Sequence, residues 1–385
     1  MTGADVARIE AADAEIRALM PEPGRAARVE RALAEAPDGP LRGLLFGVKD
    51  VLHVDGLPTT AGSALPVEEL AGPEAAAVSL LRSAGAVVLA KTVSTEFAFI
   101  EPGPTRNPRN LAHTPGGSSS GSAAAVAAGH CPLALGTQTV GSVIRPAAFC
   151  GVVGYKPSYG RISTAGVIPL AESFDTVGLL AANVDWASRA AAVLCAGWHM
   201  ASPRHPARLG LPQGPYLAQA TPAARAVLDG LDAKPVPVLE DIATLNAAHR
   251  RLLVFEMARH HARWQPRFAQ RYRPRTLAAL RDGGEVPAEY AAEVRAGRAR
   301  VRARIHQAMD AAGVDVLVCP AAAGPAPAGL DSTGDPMLQL PWTHAGLPVV
   351  SLPRVSAPDG LPLGLQLVGR FMDDERLLAW AERLE

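Results

Sequence analysis

The chain has 385 residues, no net formal charge, and a composition that is 48% hydrophobic and 19% charged. This is the composition of a globular protein that buries a large core, and no apolar run approaches the roughly 20 residues of a membrane-spanning helix. The basic residues are scattered, which argues against a nucleic-acid-binding surface. We therefore expect a soluble protein whose partners include neither nucleic acid nor membrane.

The cysteines give no sign of a metal site or of a disulfide framework. Cys131, Cys150, Cys195 and Cys319 lie in apolar surroundings and show no Cys-x-x-Cys spacing. The first residues have neither the basic start nor the apolar core of a secretory signal, and no Gly-x4-Gly-Lys-Ser/Thr phosphate loop occurs. We expect a cytoplasmic protein that uses no metal and no organic cofactor.

Helices and strands alternate in the first third of the chain. Alanine, glutamate and arginine at helical spacing predict the first two helices, and short apolar runs bounded by glycine or proline predict buried strands. The predicted elements are, in order, helix 4–20, helix 25–36, strand 43–48 with Lys49 at its end, helix 75–83, strand 86–90, helix 122–128 and strand 132–135. Helix-then-strand steps of this kind build a parallel or mixed sheet.

The middle of the chain differs in composition from both ends. Residues 198–310 are rich in proline at first and then helical and rich in arginine, which predicts a peripheral helical insertion. Strand patterns return at 314–319, 349–352 and 363–368, followed by a helix from Asp373. We therefore predict a single α/β domain spanning 1–385, with one central sheet assembled from both ends of the sequence.

Lysine is rare in this chain, which makes each lysine informative. Only four of the 37 basic residues are lysine, at positions 49, 91, 156 and 234. An arginine keeps its proton in a protein, whereas a buried lysine can lose it. Lys49, which lies inside a motif-rich block, is therefore a candidate for chemistry that needs a neutral amine.

A Gly/Ser-rich run over 115–122, Pro-Gly-Gly-Ser-Ser-Ser-Gly-Ser, has three interpretations. It could be a flexible linker, but it opens directly into an Ala-rich helix, as a turn feeding a helix N-terminus does. Residues 117–121 also match the Gly-x-Ser-x-Gly elbow, which would make Ser119 a nucleophile. That elbow must follow a strand, and residues 107–115 contain two prolines and two asparagines, so the turn is favoured.

The run 136–146 reads Gly-Thr-Gln-Thr-Val-Gly-Ser-Val-Ile-Arg-Pro. Together with other stretches in the same order along the chain, this run resembles the amidase signature family. Those stretches are Gly47-Val-Lys-Asp50, 89–98, 114–128, 147–157, 166–171, 332–336 with Trp342 and 346–348, and 364–369. The resemblance covers both ends of the chain and hardly touches the helical middle. It implies an α/β fold with a central mixed twisted sheet flanked by helices, and the activity of an amidase.

The resemblance also implies a set of site residues. It makes Ser142 the nucleophile, Ser118, which lies 24 residues before it, the bridging serine, and Lys49 the base. It further implies a cis peptide bond from Gly117 to Ser118. The backbone N–H groups of the implied oxyanion hole belong to Thr139, Val140, Gly141 and Ser142. The implied supporting residues are Gly117, Ser119, Gln138 and Arg145.

The chemistry of these residue types explains the triad. A serine hydroxyl is a weak nucleophile until a base takes its proton, and a lysine is such a base only when it is neutral. Burial must therefore lower the pKa of Lys49 from about 10.4 toward the working pH. Lys49 would deprotonate Ser118, which would deprotonate Ser142 as it attacks the amide, and water would then hydrolyse the acyl-enzyme.

Three positions depart from the family pattern. Gln138 replaces an aspartate, Val140 replaces a glycine, and the arginine lies one place later, at Arg145. Because the carboxylate and the arginine change together, we expect a neutral hydrogen-bonded substitute for an ion pair. A branched Val140 restricts the backbone geometry that glycine allows and narrows the pocket.

Three functions are consistent with these motifs. The first is hydrolysis of a small carboxamide. In the second, the chain is the glutamine amidotransferase subunit, which is the catalytic subunit, of a tRNA-dependent amidotransferase. The third is a catalytically silent binding or scaffold protein. The expected partner is a small-molecule amide, with a homodimer left open. His260, His261 and His344 are expected to be packing or surface residues and not pocket residues.

Overall fold

Ten strands form one mixed sheet in the computed structural model of this chain, which describes residues 3–385. The strands are β1 (Leu45–Lys49), β2 (Val87–Thr92), β3 (Leu133–Gln138), β4 (Val153–Lys156), β5 (Thr176–Ala181), β6 (Leu209–Pro212), β7 (Ala233–Val236), β8 (Val316–Pro320), β9 (Val349–Ser356) and β10 (Pro362–Val368). Their order across the sheet is β2-β1-β3-β5-β4-β9-β10-β8-β6-β7. The predicted α/β class with a central mixed sheet is confirmed.

Helices flank this sheet along the whole described part of the chain. They are α1 (Gly3–Ile16), α2 (Arg25–Glu35), α3 (Ala76–Ser83), α4 (Ser120–Ala127), α5 (Ile144–Cys150), α6 (Val184–Leu194), α7 (Pro215–Ala218), α8 (Pro222–Arg225), α9 (Ile242–His261), α10 (Gln265–Phe268), α11 (Pro274–Gly284), α12 (Ala288–Ala312), α13 (Leu340–Ala345) and α14 (Asp374–Glu382). No helix within residues 3–385 is both long and apolar enough to cross a membrane.

Strands β1 and β3 bring two sequence-distant motifs to one edge of the sheet. The strands pair in parallel, with Phe46 opposite Leu133 and Val48 opposite Leu135. The carboxyl ends of adjacent parallel strands meet at the same sheet edge, where binding sites of α/β proteins form. Lys49 ends β1 as predicted, and the chain leaves β3 toward Ser142 at that same edge.

Helix α4 packs tightly behind this edge because its residues are small. A Cβ added at Gly121 would lie 2.3 Å from both the Ala18 carbonyl oxygen and the Val93 backbone nitrogen. Only glycine fits there, and Ala123 and Ala124 beside it are fully buried. The Ala-rich stretch is therefore a close-packed helix.

The first helix is shorter than its sequence pattern predicts. Helix α1 ends at Ile16, and Arg17 adopts a positive φ of 57°. The Asp13 carboxylate accepts hydrogen bonds from the backbone N–H groups of Ala18, at 2.9 Å, and Leu19, at 3.0 Å. Leu19 then forms an antiparallel bridge with Thr92, so side-chain capping and sheet pairing replace the last helical turn.

The middle segment contains long helices, as expected, but it also contributes to the sheet. Helices α9 and α12 lie largely between 198 and 310, while β6 and β7 of the same segment extend the sheet beyond β8. Both strands have four residues and contain a proline, so they leave little periodic signal. The sheet is thus assembled from the two ends and also from the middle.

The four cysteines are free thiols buried at separate places in the fold. Burial raises the pKa of each thiol, at Cys131, Cys150, Cys195 and Cys319, to about 12. They pack as small apolar side chains.

Candidate active site

Lys49 is fully buried and makes its contacts with hydroxyl and carbonyl groups. Its Nζ lies 2.7 Å from Ser118 Oγ and 2.8 Å from Thr137 Oγ1, and the Thr137 carbonyl oxygen lies at 3.4 Å. No described carboxylate lies within ion-pairing distance of this amine. A buried ammonium without a counter-ion is unfavourable, whereas a neutral amine is not.

The electrostatic surroundings of Lys49 favour its neutral form. Burial lowers its pKa well below the usual value for lysine, Asp175 raises the pKa in part, and Arg145 lowers it again. Burial is the largest of these effects. In its neutral form Lys49 can accept a proton from a neighbouring hydroxyl.

The Gly/Ser-rich run forms a buried turn. The peptide bond between Gly117 and Ser118 is cis, as the family resemblance implied, and α4 begins at Ser120. Every residue from Thr114 to Val126 is buried, which is not the environment of a flexible linker. Ser119 is fully buried, and its Oγ donates a hydrogen bond of 3.2 Å to the Thr137 carbonyl, so it is not exposed as an elbow nucleophile would be.

Ser142 lies beside this turn through backbone contact. Its carbonyl accepts a hydrogen bond from the Ser119 N–H at 3.3 Å, and its side chain keeps 8% exposure. The Ser142 hydroxyl makes no hydrogen bond with the residues that the structure describes, Ser118 included. The structure therefore brings Lys49 and Ser118 into direct contact, with Ser142 adjacent.

The loop before Ser142 presents free backbone donors. Among residues 3–385, none accepts a hydrogen bond from the N–H groups of Val140, Gly141 or Ser142. A Cβ on Gly141 would lie 2.5 Å from Gln339 Oε1 and 3.1 Å from the Cβ of Pro336. A larger residue at 141 would therefore displace the Gln339 side chain, which covers this loop.

Side chains from distant parts of the chain hold the same loop in place. Thr139 Oγ1 donates to Asp175 Oδ1 at 2.6 Å, and the Thr139 carbonyl accepts a hydrogen bond from His249 Nε2 at 3.1 Å. Thr343 Oγ1 donates to the Val140 carbonyl at 2.7 Å. Burial raises the pKa of Asp175 to about 6, although the Thr139 hydroxyl and two backbone N–H groups oppose this rise.

Val140 fits the loop without backbone strain. Its φ is not among the positive values of the non-glycine residues. The side chain is half-buried and packs against the core. A branched side chain at position 140 is therefore compatible with this loop conformation.

Gln138 and Arg145 do not bond to each other, so the neutral hydrogen-bonded substitute expected for an ion pair is not a contact between these two residues. Gln138 Oε1 accepts from the N–H groups of Val143, at 2.8 Å, and Ile144, at 3.0 Å, and its Nε2 donates to Thr343 Oγ1 at 3.0 Å. An amide suits this position because its oxygen accepts hydrogen bonds from the two backbone N–H groups and its nitrogen donates to the Thr343 hydroxyl.

Arg145 instead reaches across to the serine-rich turn. Its Nη2 donates to the Gly117 carbonyl at 2.6 Å and to Thr333 Oγ1 at 3.1 Å. The backbone N–H of Arg145 donates to the Gly141 carbonyl at 2.9 Å, so residues 141–145 form one helical turn. Arg145 thereby links this turn to the residue before Ser118.

The three histidines that were expected to be packing or surface residues have different surroundings. His260 pairs with Glu172 at the surface, His261 packs edge-on against Phe97, and His344 is buried with its ring 5.5 Å from that of His249. Across the described residues, no three histidine, cysteine or acidic side chains gather in a way that could hold a metal ion.

Sequence reasoning missed several residues of the site. They are Thr137, Asp175, His249, Thr333 and Gln339. Thr137 lies within the run 136–146, and its hydroxyl one residue before Gln138 was the available signal. Thr333 lies in the run 332–336, which the family resemblance covers without giving this residue a role. The other three come from segments whose local pattern shows no chemistry.

Curated relatives match over nearly the whole chain. A family model described as Amidase matches residues 2–226 and 236–378. A Glutamyl-tRNA(Gln) amidotransferase subunit from Synechococcus sp. (strain WH7803) is 33% identical, over 100% of this chain and 93% of the relative. The protein of the same name from Roseiflexus sp. (strain RS-1) is 32% identical, over 98% and 90%.

Solved structures show the same fold. The crystal structure of an amidase superposes with a TM-score of 0.88 at 31% identity, covering 100% of this chain and 96% of that one. The peptide amidase PAM in complex with the competitive inhibitor chymostatin gives a TM-score of 0.80 at 28% identity, covering 99% and 93%. The chain therefore belongs to the amidase family and is an amide hydrolase.

Proposed function

We propose that this protein hydrolyses a small carboxamide through Lys49, Ser118 and Ser142, by way of an acyl-enzyme, and without partner subunits. The observation that carries the proposal is the 2.7 Å contact between the buried Lys49 amine and the Ser118 hydroxyl, with no carboxylate of residues 3–385 pairing with the amine. Burial without a paired carboxylate favours the neutral amine, which is the form that can act as a base.

The proton relay starts at Lys49. The neutral amine takes the proton of Ser118, and Ser118 takes that of Ser142 as the Ser142 oxygen attacks the amide carbonyl. The Ser142 hydroxyl makes no hydrogen bond with the described residues, so the relay requires it to approach Ser118. Catalytic hydrogen bonds commonly tighten only when substrate is bound.

The tetrahedral oxyanion would accept hydrogen bonds from the N–H groups of Val140, Gly141 and Ser142, with that of Thr139 as the further candidate donor. Losing one such donor typically costs about 3–4 kcal/mol of barrier stabilisation. The relay then runs backward: Ser118 returns a proton to the leaving nitrogen, the amine departs, and Ser142 remains acylated. Water attacks the ester and the relay is restored.

A substrate panel tests this function. The purified protein is assayed on aliphatic amides, aryl amides, urea-type amides and glutamine, beside Ser142→Ala and Lys49→Ala. We expect turnover of at least one small amide by the wild type and loss of that turnover in both variants. Turnover that persists in Ser142→Ala would remove Ser142 from the nucleophile role.

A second candidate function is supported by the curated relatives, each of which is named as one subunit of Glutamyl-tRNA(Gln) amidotransferase. In that case the chain would act on glutamine inside an assembly. Glutaminase activity that appears only with partner subunits, with no turnover of simple amides by the isolated protein, would favour this function over the first.

The third function that the motifs allowed, a catalytically silent protein, does not agree with membership of a family of amide hydrolases. Labelling tests the nucleophile directly: a serine-reactive phosphonate should form an adduct on the peptide that contains Ser142, detected by mass spectrometry. An unlabelled Ser142 in a protein that turns over an amide would assign the nucleophile role to another residue.

A further inference from the structure

The free backbone donors of the candidate oxyanion hole share peptide groups with carbonyls that accept hydrogen bonds. A trans peptide group is planar, so its N–H and its carbonyl point in opposite directions within one rigid unit. The N–H of Val140 belongs to the same unit as the Thr139 carbonyl, which accepts from His249 Nε2 at 3.1 Å. The N–H of Gly141 shares its unit with the Val140 carbonyl, which accepts from Thr343 Oγ1 at 2.7 Å. A side chain that holds the carbonyl therefore also fixes where the N–H points.

His249 is the one of these two contacts that comes from the helical middle of the chain, which the family resemblance hardly covers. It lies in α9, and its side chain is fully buried. Its ring stacks on that of Phe174, with the centroids 3.9 Å apart and 19° between the planes. Asp175, the residue after Phe174, accepts the hydrogen bond of the Thr139 hydroxyl. Thr139 is thus held at its hydroxyl and at its carbonyl by groups that contact each other.

The contact with the Thr139 carbonyl fixes the protonation state of the His249 ring. A carbonyl oxygen only accepts hydrogen bonds, so Nε2 must carry the proton. Nδ1 is buried and has no hydrogen-bond partner among residues 3–385. Burial lowers the pKa of His249 well below its usual value, and His344 and Arg298 lower it further. A charged ring would bury a second donor without an acceptor, so the neutral Nε2–H form is favoured.

We infer that His249 is a positioning residue for the reaction, because it orients the peptide group between Thr139 and Val140 so that the Val140 N–H points at the oxyanion. This inference rests on the proposed hydrolase function. As the substrate oxygen gains charge, the Val140 N–H donates more strongly, and the hydrogen bond from His249 to the same peptide group strengthens with it. His249 forms no covalent bond and transfers no proton. Its effect falls on the barrier and hardly on the binding of an uncharged amide.

Removing the Nε2 donor should therefore lower kcat and leave KM nearly unchanged. In His249→Leu we expect kcat on the best amide to fall by about 30-fold, which is less than the loss of a whole oxyanion donor, with KM within about twofold of the wild type. His249→Gln keeps an amide nitrogen at a similar distance from the backbone and should recover kcat to within about fivefold of the wild type. An unchanged kcat in His249→Leu, or no recovery in His249→Gln, would overturn the positioning role.

A second buried histidine on the same helix provides a matched control. His261 is also fully buried, and its Nδ1 contacts the Tyr272 hydroxyl at 2.9 Å. It lies about 18 Å further along α9. We expect His261→Leu to lower the free energy of unfolding, as His249→Leu also should, but to leave kcat within about twofold of the wild type. An equal fall of kcat in both variants would show that the packing of α9 sets the rate, which would overturn the assignment to Nε2.

Binding measured without turnover separates this inference from the proposed function. Aldehydes that correspond to the aliphatic and aryl amides form a tetrahedral adduct with a serine, and the oxygen of this adduct resembles the oxyanion. The aldehyde that binds the wild type most tightly should bind His249→Leu about 30-fold more weakly. If that difference appears but the wild type hydrolyses no amide, the positioning role stands and the hydrolase proposal fails. If the aldehyde binds both proteins equally, or if none of the aldehydes binds the wild type, the positioning role is overturned.

The ring itself can be observed in the wild type, which keeps the inference testable if His249→Leu does not fold. With ¹⁵N-labelled histidine, the His249 signals are identified by their loss in His249→Gln. They should show a protonated Nε2 and an unprotonated Nδ1 at neutral pH. A proton on Nδ1 alone would remove the donor to the Thr139 carbonyl and with it the proposed role.

Discussion

Two buried lysines on neighbouring strands show how surroundings decide the chemistry of the same side chain. Lys49 ends β1 and Lys91 lies in β2, where Val48 pairs with Lys91. Lys91 Nζ lies 2.7 Å from Asp50 Oδ1 in a buried ion pair, whereas Lys49 contacts hydroxyl and carbonyl groups. Burial lowers the pKa of both amines, but Asp50 opposes this at Lys91 through direct contact. A buried lysine is available as a base only where no carboxylate pairs with it.

The largest difference between the two lysines is expected when the Lys49 amine is removed. Lys49→Met deletes the proposed base while keeping a side chain of similar length, and kcat should fall by about 10⁴-fold or more, as in other serine relays. The measurement is kcat on the best amide of the panel, with circular dichroism to confirm folding. A folded variant that keeps a tenth of the activity would end the base role of Lys49.

The corresponding change at Lys91 should act on stability. Lys91→Met leaves the Asp50 carboxylate buried without its partner, which typically costs about 3–5 kcal/mol. We expect this loss in the free energy of unfolding, measured by urea denaturation. The folded fraction should retain turnover, and the double variant with Asp50→Asn should recover part of the stability. If Lys91→Met abolished turnover without loss of stability, the two lysines would not differ as argued.

The Asp175 charge changes the pKa of Lys49 without direct contact, so removing this charge should move the pH profile of the activity. The Asp175 charge raises the Lys49 pKa against the larger effect of burial. In Asp175→Asn the pKa of Lys49 falls further, so the neutral base is present at lower pH. The acidic limb of kcat/KM should therefore shift to lower pH.

The Arg145 charge has the opposite effect on the Lys49 pKa, so a variant at this position checks the prediction for Asp175. Its charge lowers the Lys49 pKa, so the acidic limb in Arg145→Met should move upward. Shifts of both variants in the same direction would contradict the electrostatic explanation.

The smallest effect is expected at Thr137. Its hydroxyl contacts the Lys49 amine at 2.8 Å, and Thr137→Val removes that hydrogen bond while keeping the branched shape. A net loss of about 1 kcal/mol corresponds to roughly a fivefold fall in kcat/KM. The matched variant Thr137→Ser keeps the hydroxyl and should stay within about twofold of the wild type.

The sequence shows where the site lies because the local patterns there are strong. A buried apolar run followed by a lysine predicts Lys49 at a strand end, and the ordered motifs predict the neighbourhood of Ser118 and Ser142. The contacts of Arg145 could not be predicted in this way. They depend on Thr333, which lies 188 residues further along the chain and contacts Arg145 only in the folded protein.

Two further misses have physical causes of the same kind. Strands β6 and β7 are short and contain proline, so only their pairing beside β8 identifies them as strands. The role of Gln138 followed from neither composition nor spacing. Its amide uses two kinds of contact at once, and this is visible only when the positions of Val143 and Thr343 are known.

The four buried thiols allow local opening of the fold to be followed by chemical modification. Because their pKa is held near 12 inside the fold, a maleimide at neutral pH should modify them only when the surrounding packing comes apart. Each thiol occupies a different place, with Cys131 behind β1, Cys150 at the end of α5 and Cys319 on β8. The rate of alkylation at each cysteine, followed peptide by peptide, would therefore map which parts of the protein loosen first.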